Sequence, residues 1–221
     1  MTSEQHQDDI ENLPDKNFFM MCEQVNPAAF RPIPTGFHVR NCRQDELDIW
    51  KRFPFDNPAD ADAYMGYMSE FFNRVYAPKG ELFFETCKYV CDGDDTPIGT
   101  AFIWKVHERI NTVHWVKVLK GYEDKGIGRA LMTHIMQELT ADDFPIFLHT
   151  QPGSFRAIKL YSDFGFNVLT DPVIGVQSND WEECMPILKR VMPEKDYANL
   201  ELATAPSWFI QTLESVSHNN F

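Results

Sequence analysis

The chain has 221 residues, a length that fits one domain with extensions and allows a substantial buried core. Hydrophobic residues make up 43% and aromatic residues 14%, a composition that excludes an intrinsically disordered chain. The formal charge of −13, from 33 acidic and 20 basic residues, argues against non-specific nucleic-acid binding, because neutralising phosphates requires clustered Lys and Arg.

The five cysteines are odd in number, scattered in spacing and without a C-x-x-C pair, which predicts reduced thiols in a cytoplasmic protein. Cys87 and Cys91 are predicted to be buried structural thiols, with a redox or metal role as the alternative. There is no run of about 18 apolar residues, so no membrane span is expected. The N-terminus lacks a basic region followed by an apolar one, so no targeting segment is expected either.

The composition divides the chain into three parts. Residues 1–35, polar and then punctuated by proline, are predicted to be an N-terminal extension, in which residues 18–21 pack as a short helix or strand. One α/β domain is predicted over residues 36–191. Residues 192–221 are predicted to be a C-terminal tail with a helix and an aromatic segment that pack on the domain.

The domain is predicted to open with a strand at 37–40 and a helix at 44–53. Asn57 and Pro58 form a cap and first-turn pair for a second helix, which reaches about residue 75. The aromatic residues of this second helix are expected to pack in the core. The alternative is that Tyr64, Tyr67 or Phe71 lines a substrate pocket.

Three strand-like runs follow, at 81–90, 98–106 and 112–119. The first two flank residues 91–97, which are rich in turn formers and predict a hairpin. Because a strand and two helices precede these three strands, the order predicts a mixed sheet.

Helices and strands then alternate. A helix is predicted at 127–139, a buried strand at 146–148 and a further strand at 166–169. Ser154 is the predicted N-cap of a helix that ends near Gly165. The remaining runs, 173–177 and 183–191, are predicted to be a closing pair of strands, with Pro186 at an edge or bulge.

The most informative segment is the turn at 121–128, between a strand and a helix. Amide groups at a helix start, together with the helix dipole, favour anions, and Gly126 and Gly128 let the backbone approach a ligand. Lys125 and Arg129 could add positive charge. The glycine pair is too short for a dinucleotide fingerprint, and no G-K-[ST] follows. A turn without a ligand is therefore the alternative.

Two segments together resemble the GCN5-related N-acetyltransferase (GNAT) superfamily. The strand, turn and helix of residues 114–131 are similar to its pyrophosphate motif, and residues 154–166, with an Ala-Ile-x-Leu-Tyr helix leading into Gly-Phe, look like its second motif. The resemblance covers about residues 36–190. Two positions depart from the pattern: Glu123 stands in a Gln or Arg slot, and Ser154 replaces an Asn.

The resemblance implies a GNAT fold with a central mixed sheet of six to seven strands flanked by helices. It also implies an enzyme that moves an acetyl group from acetyl-CoA to a primary amine, without a metal, and a small-molecule acceptor is favoured. The positions implied to contact the coenzyme are Val116, Lys117, Val118, Glu123, Asp124, Lys125, Gly126, Ile127, Gly128, Arg129, Ser154 and Tyr161. We expect Glu123 to turn its carboxylate outward while its backbone N–H contributes.

Three catalytic positions follow from the resemblance. Tyr161 matches the family tyrosine that protonates the leaving thiolate, and the N–H of Val118 is the expected oxyanion donor. His114 is the best candidate for the general base and, by the two-residue period of a strand, should share a face with Val116 and Val118. Its alternative is a structural role. Rival bases are Glu81, Glu85, Glu108 and His149.

Three other functions remain open at this stage. A protein-lysine acetyltransferase fits the net acidity, a weakly catalytic acyl-CoA-binding module fits Glu123, and a nucleotide-binding α/β protein fits the turn alone. No nucleic-acid or membrane partner is expected. The extension and the tail leave a homodimer contact open.

Overall fold

The computed structural model describes residues 13–14, 16–107 and 109–214. The strands are β1 (Phe18–Cys22), β2 (His38–Asn41), β3 (Lys88–Cys91), β4 (Pro97–Val106), β5 (Ile110–Val118), β6 (Ile146–Thr150), β7 (Phe166–Leu169), β8 (Val173–Ile174), β9 (Gln177–Ser178) and β10 (Leu202–Ala203). The α-helices are α1 (Leu47–Arg52), α2 (Pro58–Ala63), α3 (Met65–Val75), α4 (Leu82–Thr86), α5 (Ile127–Met136), α6 (Phe155–Asp163), α7 (Trp181–Val191), α8 (Glu194–Ala198) and α9 (Ser207–Glu214).

The chain divides into two compact units. The first contains residues up to 28, residues 105–112 and residues from 141 onward, and the second contains residues 29–104 and 113–140. The strand order is β10-β7-β1-β6-β5 in the first unit and β5-β4-β3-β2 in the second. Within the described residues these ladders contain eight strands, more than the six to seven predicted. Parallel and antiparallel pairs both occur, so the predicted mixed α/β class is confirmed.

β1 lies inside the ladder of the first unit. Each of its five residues is at most 2% exposed, and an unbroken apolar run of this kind is typical of a strand buried on both faces. Met20 is paired with Leu148 of β6 on one side and with Val168 of β7 on the other, antiparallel in both cases. Residues from the predicted N-terminal extension therefore form a sheet strand.

Of the two strands predicted to close the domain, the second, at 183–191, is wrong. Residues 183–191 belong to α7, whose buried residues Cys184, Leu188 and Val191 recur at helical spacing. Pro186 lies inside this helix and marks no strand edge. Val173–Ile174 pairs instead with Gln177–Ser178 in a small separate hairpin.

The predicted strand at 81–90 is also wrong in its first half. Residues Leu82–Thr86 form α4, and the hydroxyl of Thr86 donates to the Leu82 carbonyl one turn earlier at 2.8 Å. Phe83 is fully buried, and Cys87, four residues on, is buried beside the same helix end. A short apolar run of this kind fits both periods, so periodicity alone does not separate them.

The last helix of the first unit packs through stacked rings. Phe209 of α9 lies parallel to Phe147 of β6, with ring centroids 3.8 Å apart. The guanidinium of Arg109 lies 4.6 Å from the ring centroid of Trp208, a favourable cation–π distance. The helix and aromatic segment predicted for the tail thus coincide in α9.

The second unit has an aromatic core. Trp50 of α1, Tyr76 at the end of α3 and Phe83 of α4 are at most 1% exposed, and their ring centroids are 5.0–5.5 Å apart. The two pairs that involve Trp50 are edge-to-face, and pairs of this geometry add to the hydrophobic contribution of each ring. The aromatic stripe of the second predicted helix is therefore largely core, with Tyr64 and Tyr67 exposed.

An ion-pair network ties β2 to the start of α1. Arg40 contacts both carboxylate oxygens of Glu46 at 2.7 Å and Asp95 at 2.7 Å. The Arg40 and Glu46 side chains are only 15% and 12% exposed. Burial acts to raise the pKa of Glu46, but the hydrogen bonds from Arg40 and from the Arg43 amide outweigh it and lower the pKa below its usual value.

Replacing Glu46 by Gln is expected to lower the free energy of unfolding by about 1–2 kcal/mol at pH 7, because charge-assisted hydrogen bonds are lost. Because the folded-state pKa is depressed, the carboxylate stabilises the fold above the unfolded value of about 4.3. That contribution is lost as the pH falls through the depressed folded-state pKa of Glu46. The free energies of unfolding of the parent and the Gln variant should therefore become equal in acid. Urea unfolding across this range checks it. The control Asp48→Asn removes a 78% exposed carboxylate paired with Lys51 and should change little.

All five cysteines are free thiols with buried side chains. In the part of the chain that the structure describes, none of the helices has both the length and the apolar character required to cross a bilayer.

Candidate active site

The turn between β5 and α5 has the backbone geometry of an anion cradle. Asp124 and Gly126 both have positive φ, 60° and 77°. A Cβ added at Gly126 would meet nothing within 4 Å, so the space in front of this backbone is open. The first helical hydrogen bond runs from the Ala130 amide to the Gly126 carbonyl at 3.0 Å, which leaves the amides of Ile127 and Gly128 without an acceptor inside the helix. Alternating backbone of this kind binds anions.

The turn is held by its own side chains and by the β3–β4 hairpin. The Tyr122 hydroxyl donates to Asp92 at 3.1 Å, and Asp92 also accepts the Thr96 amide at 3.0 Å. The bond to the Thr96 amide is the largest cause that lowers the pKa of Asp92. Lys125 donates to the Gly121 carbonyl and lies 4.7 Å from the ring centroid of Tyr122, so its charge stays at the turn.

Two residues that were predicted to contact the coenzyme already form hydrogen bonds within the protein. The amide of Glu123, expected to point toward a ligand, donates to the Lys120 carbonyl at 3.4 Å. A guanidinium nitrogen of Arg129 lies 3.4 Å from the Ala29 carbonyl. The cradle is therefore centred on residues 124–128, one position later than the Gln or Arg slot.

β5 is irregular at Trp115, and this irregularity, called the bulge below, changes the predicted face of His114. Trp115 has a φ of 51°, which breaks the strand's alternation. Nδ1 of His114 lies 2.6 Å from the Tyr76 hydroxyl oxygen, and Nε1 of Trp115 lies 2.9 Å from the same atom. Two consecutive side chains thus point to one face. The expectation that His114 shares the face of Val116 and Val118 is wrong, because the two-residue period fails at Trp115.

These contacts fix the hydrogen positions. The indole N–H can only donate, so the Tyr76 oxygen accepts from Trp115. Burial raises the pKa of Tyr76 far above its usual value, so its hydroxyl stays protonated and can donate to Nδ1 of His114. A neutral His114 then carries its proton on Nε2. His114 is 6% exposed and lies 5.7 Å, ring to ring, from Phe102. This setting favours the structural alternative for His114.

The β5 segment implied to bind pantetheine is half-exposed. In the first unit the ladder between β5 and β6 pairs Asn111 with Ile146 and Thr112 with Phe147, and β5 runs on for six residues to Val118. Val116, Lys117 and Val118 lie on this continuation, and Lys117 forms an ion pair of 2.7 Å with Asp56. The strand is fixed at its end by the Leu119 amide, which donates to the Ile98 carbonyl at 2.8 Å.

The second predicted motif lies on α6 in the first unit. Tyr161 is 7% exposed, its ring centroid lies 6.0 Å from that of Phe166, and burial raises the pKa of its hydroxyl. Ser154 occupies the N-cap position as predicted, but its side chain makes no capping hydrogen bond. Its backbone ψ of 29° differs from the extended value that N-cap side chains use. Gly165 follows the helix with a φ of 98°, as expected for a left-handed C-terminal glycine.

The rival bases have varied settings. Glu81 and Glu85 are exposed on and beside α4, and Glu81 accepts a hydrogen bond from Gln44. His149 is exposed and lies 2.9 Å from the Asn17 side-chain oxygen. Glu108 lies outside the described residues.

Among the residues that the structure describes, one cluster has the donor types of a cation site. The ligand atoms of His38, Cys91 and Asp95 lie within 4.8 Å of one another. Asp95, however, already binds the guanidinium groups of Arg40 and Arg43, each at 2.7 Å. A metal ion there would meet two positive charges.

The family model described as "Acetyltransferase (GNAT) family" matches residues 47–166, more than half of the chain. The chain belongs to this family. Among curated proteins, none matches its sequence. The GNAT match runs from α1 to the first residue of β7 and includes the bulge, the cradle and α6.

Solved structures of GNAT proteins are similar to this chain at low sequence identity. A tandem GNAT protein from the clavulanic acid biosynthesis pathway is 9% identical, with a TM-score of 0.51, over 70% of this chain and 50% of that one. A GNAT-family protein from Novosphingobium aromaticivorans is 12% identical, with a TM-score of 0.43, over 69% and 60%. Diaminobutyrate acetyltransferase from Paenibacillus lautus is 16% identical, with a TM-score of 0.42, over 58% and 74%. The matched region spans about half of the first two proteins' lengths.

Sequence reasoning missed two residues of this GNAT site. Tyr76 ends the aromatic stripe of α3 and was not distinguished from its neighbours, although it joins His114 and Trp115. Trp115 sits in a strand-like run, and nothing in that run signals a positive φ. The one signal in the sequence is Tyr76 itself, a tyrosine at the end of an apolar helical stripe. A tyrosine buried there requires a hydrogen-bond partner for its hydroxyl.

Proposed function

We propose that this chain transfers an acetyl group from acetyl-CoA to the primary amine of a small molecule by direct attack. The observation that carries this proposal is the cradle at Asp124 and Gly126, placed directly after a bulged strand in a chain of the GNAT family. The open space in front of Gly126 fits a diphosphate, which backbone amides and the dipole of α5 would stabilise.

The residues of β5 would position the thioester. The half-exposed segment Val116–Val118 offers strand-like backbone groups to the pantetheine arm, and the Val118 amide would stabilise negative charge on the carbonyl oxygen. The amine nitrogen forms a bond to the carbonyl carbon, the carbon–sulfur bond breaks, and the sulfur leaves as a thiolate. Tyr161 would supply its proton.

His114 is proposed to act as a positioning residue. Its Nδ1 is engaged by Tyr76, and its neighbour Trp115 binds the same hydroxyl, so the three side chains hold the bulge in place. The geometry favours this role over the base role predicted from the sequence. The attacking amine would then lose its proton to solvent or to another group.

The direct test is incubation of the purified protein with acetyl-CoA and a panel of primary amines. Mass spectrometry should detect acetylated amine, and thiol release should rise in step with it. Acetylation of lysine peptides alone would support the protein-lysine alternative. Tight CoA binding without transfer to any amine would support the binding-module alternative.

Replacing Gly126 by Ala should weaken CoA binding about 5- to 30-fold, because Ala lets the free turn relax out of the left-handed conformation, and restoring that conformation around CoA costs about 1–2 kcal/mol. The positive φ of 77° is the reason, since the added Cβ meets no neighbour. Isothermal titration calorimetry measures the change. Gly121→Ala is the matched control in the same turn, at a glycine without a positive φ and with equal space, and should bind CoA normally. Equal affinity of both variants would contradict the cradle.

A further inference from the structure

A cavity of about 290 Å³ opens in the second unit beside the end of β5. Its walls come from α1, the loop after it, α2 and the first residue of β4. Most of the lining is apolar: Ile49, Phe53, Phe55, Ala61, Pro97 and Leu119. Ligand pockets with such walls take the apolar part of a small molecule.

The cavity lies next to the segment proposed to hold the thioester. Leu119 lines it and directly follows Val118, the proposed oxyanion donor, so their Cα atoms are about 3.8 Å apart. Asp56 also lines it and is paired at 2.7 Å with Lys117 of β5. An acceptor whose amine reaches the thioester from this side would therefore place its remaining atoms in the cavity.

The charged groups of the lining are already neutralised. Asp56 is paired with Lys117, and Arg52 is paired with Asp62 at 2.8 Å. The lining thus offers no unpaired charge to a second ammonium or a carboxylate on the acceptor. Moving such a group from water into apolar surroundings without a partner is unfavourable.

The walls are fixed before any ligand binds. Phe55 is stacked on Tyr64, with ring centroids 5.1 Å apart and planes within 10°. The start of α2 is capped by Asn57, whose side chain accepts the Ala59 amide at 2.9 Å. Ile49, at 40% exposure, stands at the mouth of the cavity. A preformed apolar site of this kind selects by length and shape of the ligand's apolar part.

We propose that this cavity binds the body of the acceptor, and that the acceptor is a primary amine with an alkyl or aryl group and no second charge. The inference rests on the proposed acetyl transfer and goes beyond it by naming the substrate class. It discriminates against polyamines, diamines and lysine side chains in peptides.

The first test compares straight-chain amines from propylamine to hexylamine with 1,4-diaminobutane and a lysine peptide, at saturating acetyl-CoA. The value of kcat/KM should rise about fourfold per added methylene, the factor expected for burying each one. The diamine should be a poorer acceptor than pentylamine. Equal or better use of the diamine or of the peptide would overturn the proposal.

The second test fills the cavity mouth. Ile49→Trp should flatten the chain-length dependence to less than about twofold per methylene by occupying the space that the tail fills. Leu82→Trp is the matched control, since Leu82 is an aliphatic residue of 41% exposure that does not line the cavity. It should keep the full dependence. An unchanged dependence in Ile49→Trp, with the same thermal midpoint as the parent, would overturn the proposal.

Direct binding separates this inference from the proposed function. Calorimetry with CoA-saturated protein should show hexylamine binding more tightly than propylamine, and Ile49→Trp should remove the difference. If this pattern holds and no acetyl group moves, the cavity assignment stands and the acetyl-transfer proposal falls. If acetyl moves to amines without any length dependence in binding, the transfer proposal stands and the cavity assignment falls.

Discussion

Replacing Tyr161 by Phe is expected to lower kcat on the order of 10²-fold, the loss typical of removing a general acid. The thiolate that leaves acetyl-CoA requires a proton, and burial raises the pKa of Tyr161, so its hydroxyl is protonated at neutral pH. Phe keeps the ring and its contact with Phe166 at 6.0 Å and removes only the oxygen. CoA affinity should therefore stay near the parent value.

The measurement is steady-state kinetics together with calorimetric CoA binding. Tyr197→Phe is the control, because Tyr197 is a half-buried tyrosine on α8 outside the second motif. It should leave kcat unchanged. A Tyr161→Phe variant that retains kcat within a factor of about three would remove this residue from the proton-transfer step.

Replacing Tyr76 by Phe is expected to lower the free energy of unfolding by about 2–4 kcal/mol. The hydroxyl serves both His114, which is buried, and Trp115, which is half-exposed. A buried group left unpaired costs about 1–3 kcal/mol, and the half-exposed indole adds a smaller loss. Phe preserves the edge-to-face contacts with Trp50 and Trp104, so packing changes little. The loss should appear as a lower urea midpoint with an unchanged m-value.

The same variant tests what the bulge does. If Tyr76 holds His114 and Trp115 in place, loosening them should also raise KM for acetyl-CoA, because β5 carries the proposed thioester contacts. Tyr64→Phe is the control, since Tyr64 is 53% exposed and keeps its stacking on Phe55 without the hydroxyl. A Tyr76→Phe protein as stable as Tyr64→Phe would mean that the two hydrogen bonds do not stabilise the fold.

The elements that could be predicted from the sequence are those whose ends are set by residues close by in the chain. Asn57 caps α2 through its side chain as expected, and Gly165 closes α6 with a positive φ. In both cases the determinant is a single residue whose chemistry acts within a few positions. The strand, turn and helix around Gly126 were predicted for the same reason.

The sequence failed where the partner is distant in the chain. The run at 18–21 reads as apolar, but only its pairing with β6 and β7, about 125 and 145 residues further on, makes it a sheet strand. The strand predicted over residues 183–191 is wrong, because Cys184, Leu188 and Val191 recur at helical spacing and the helix accommodates Pro186. Short apolar runs fit either period until their packing is known.

In the candidate active site, too, some features depend on partners that are distant in the chain. The positive φ of Trp115 has no local cause in residue type, whereas Asp124 is of a type that adopts positive φ more readily than most. Strain of this kind is maintained by surrounding contacts, here the Tyr76 hydroxyl and the Tyr122–Asp92 bond, which join residues 30 to 39 positions apart. Reasoning by the two-residue period therefore placed His114 on the wrong face.

The most direct measurement of the central claim follows the backbone amides of residues 124–129 by NMR while CoA is added to isotope-labelled protein. The account predicts that the amides of Gly126, Ile127 and Gly128 shift most, that the shifts saturate, and that pantetheine, which lacks the diphosphate, leaves them unmoved. If millimolar CoA leaves these amides unshifted, or pantetheine moves them equally, no diphosphate binds at this turn and the acetyl-transfer proposal loses its foundation.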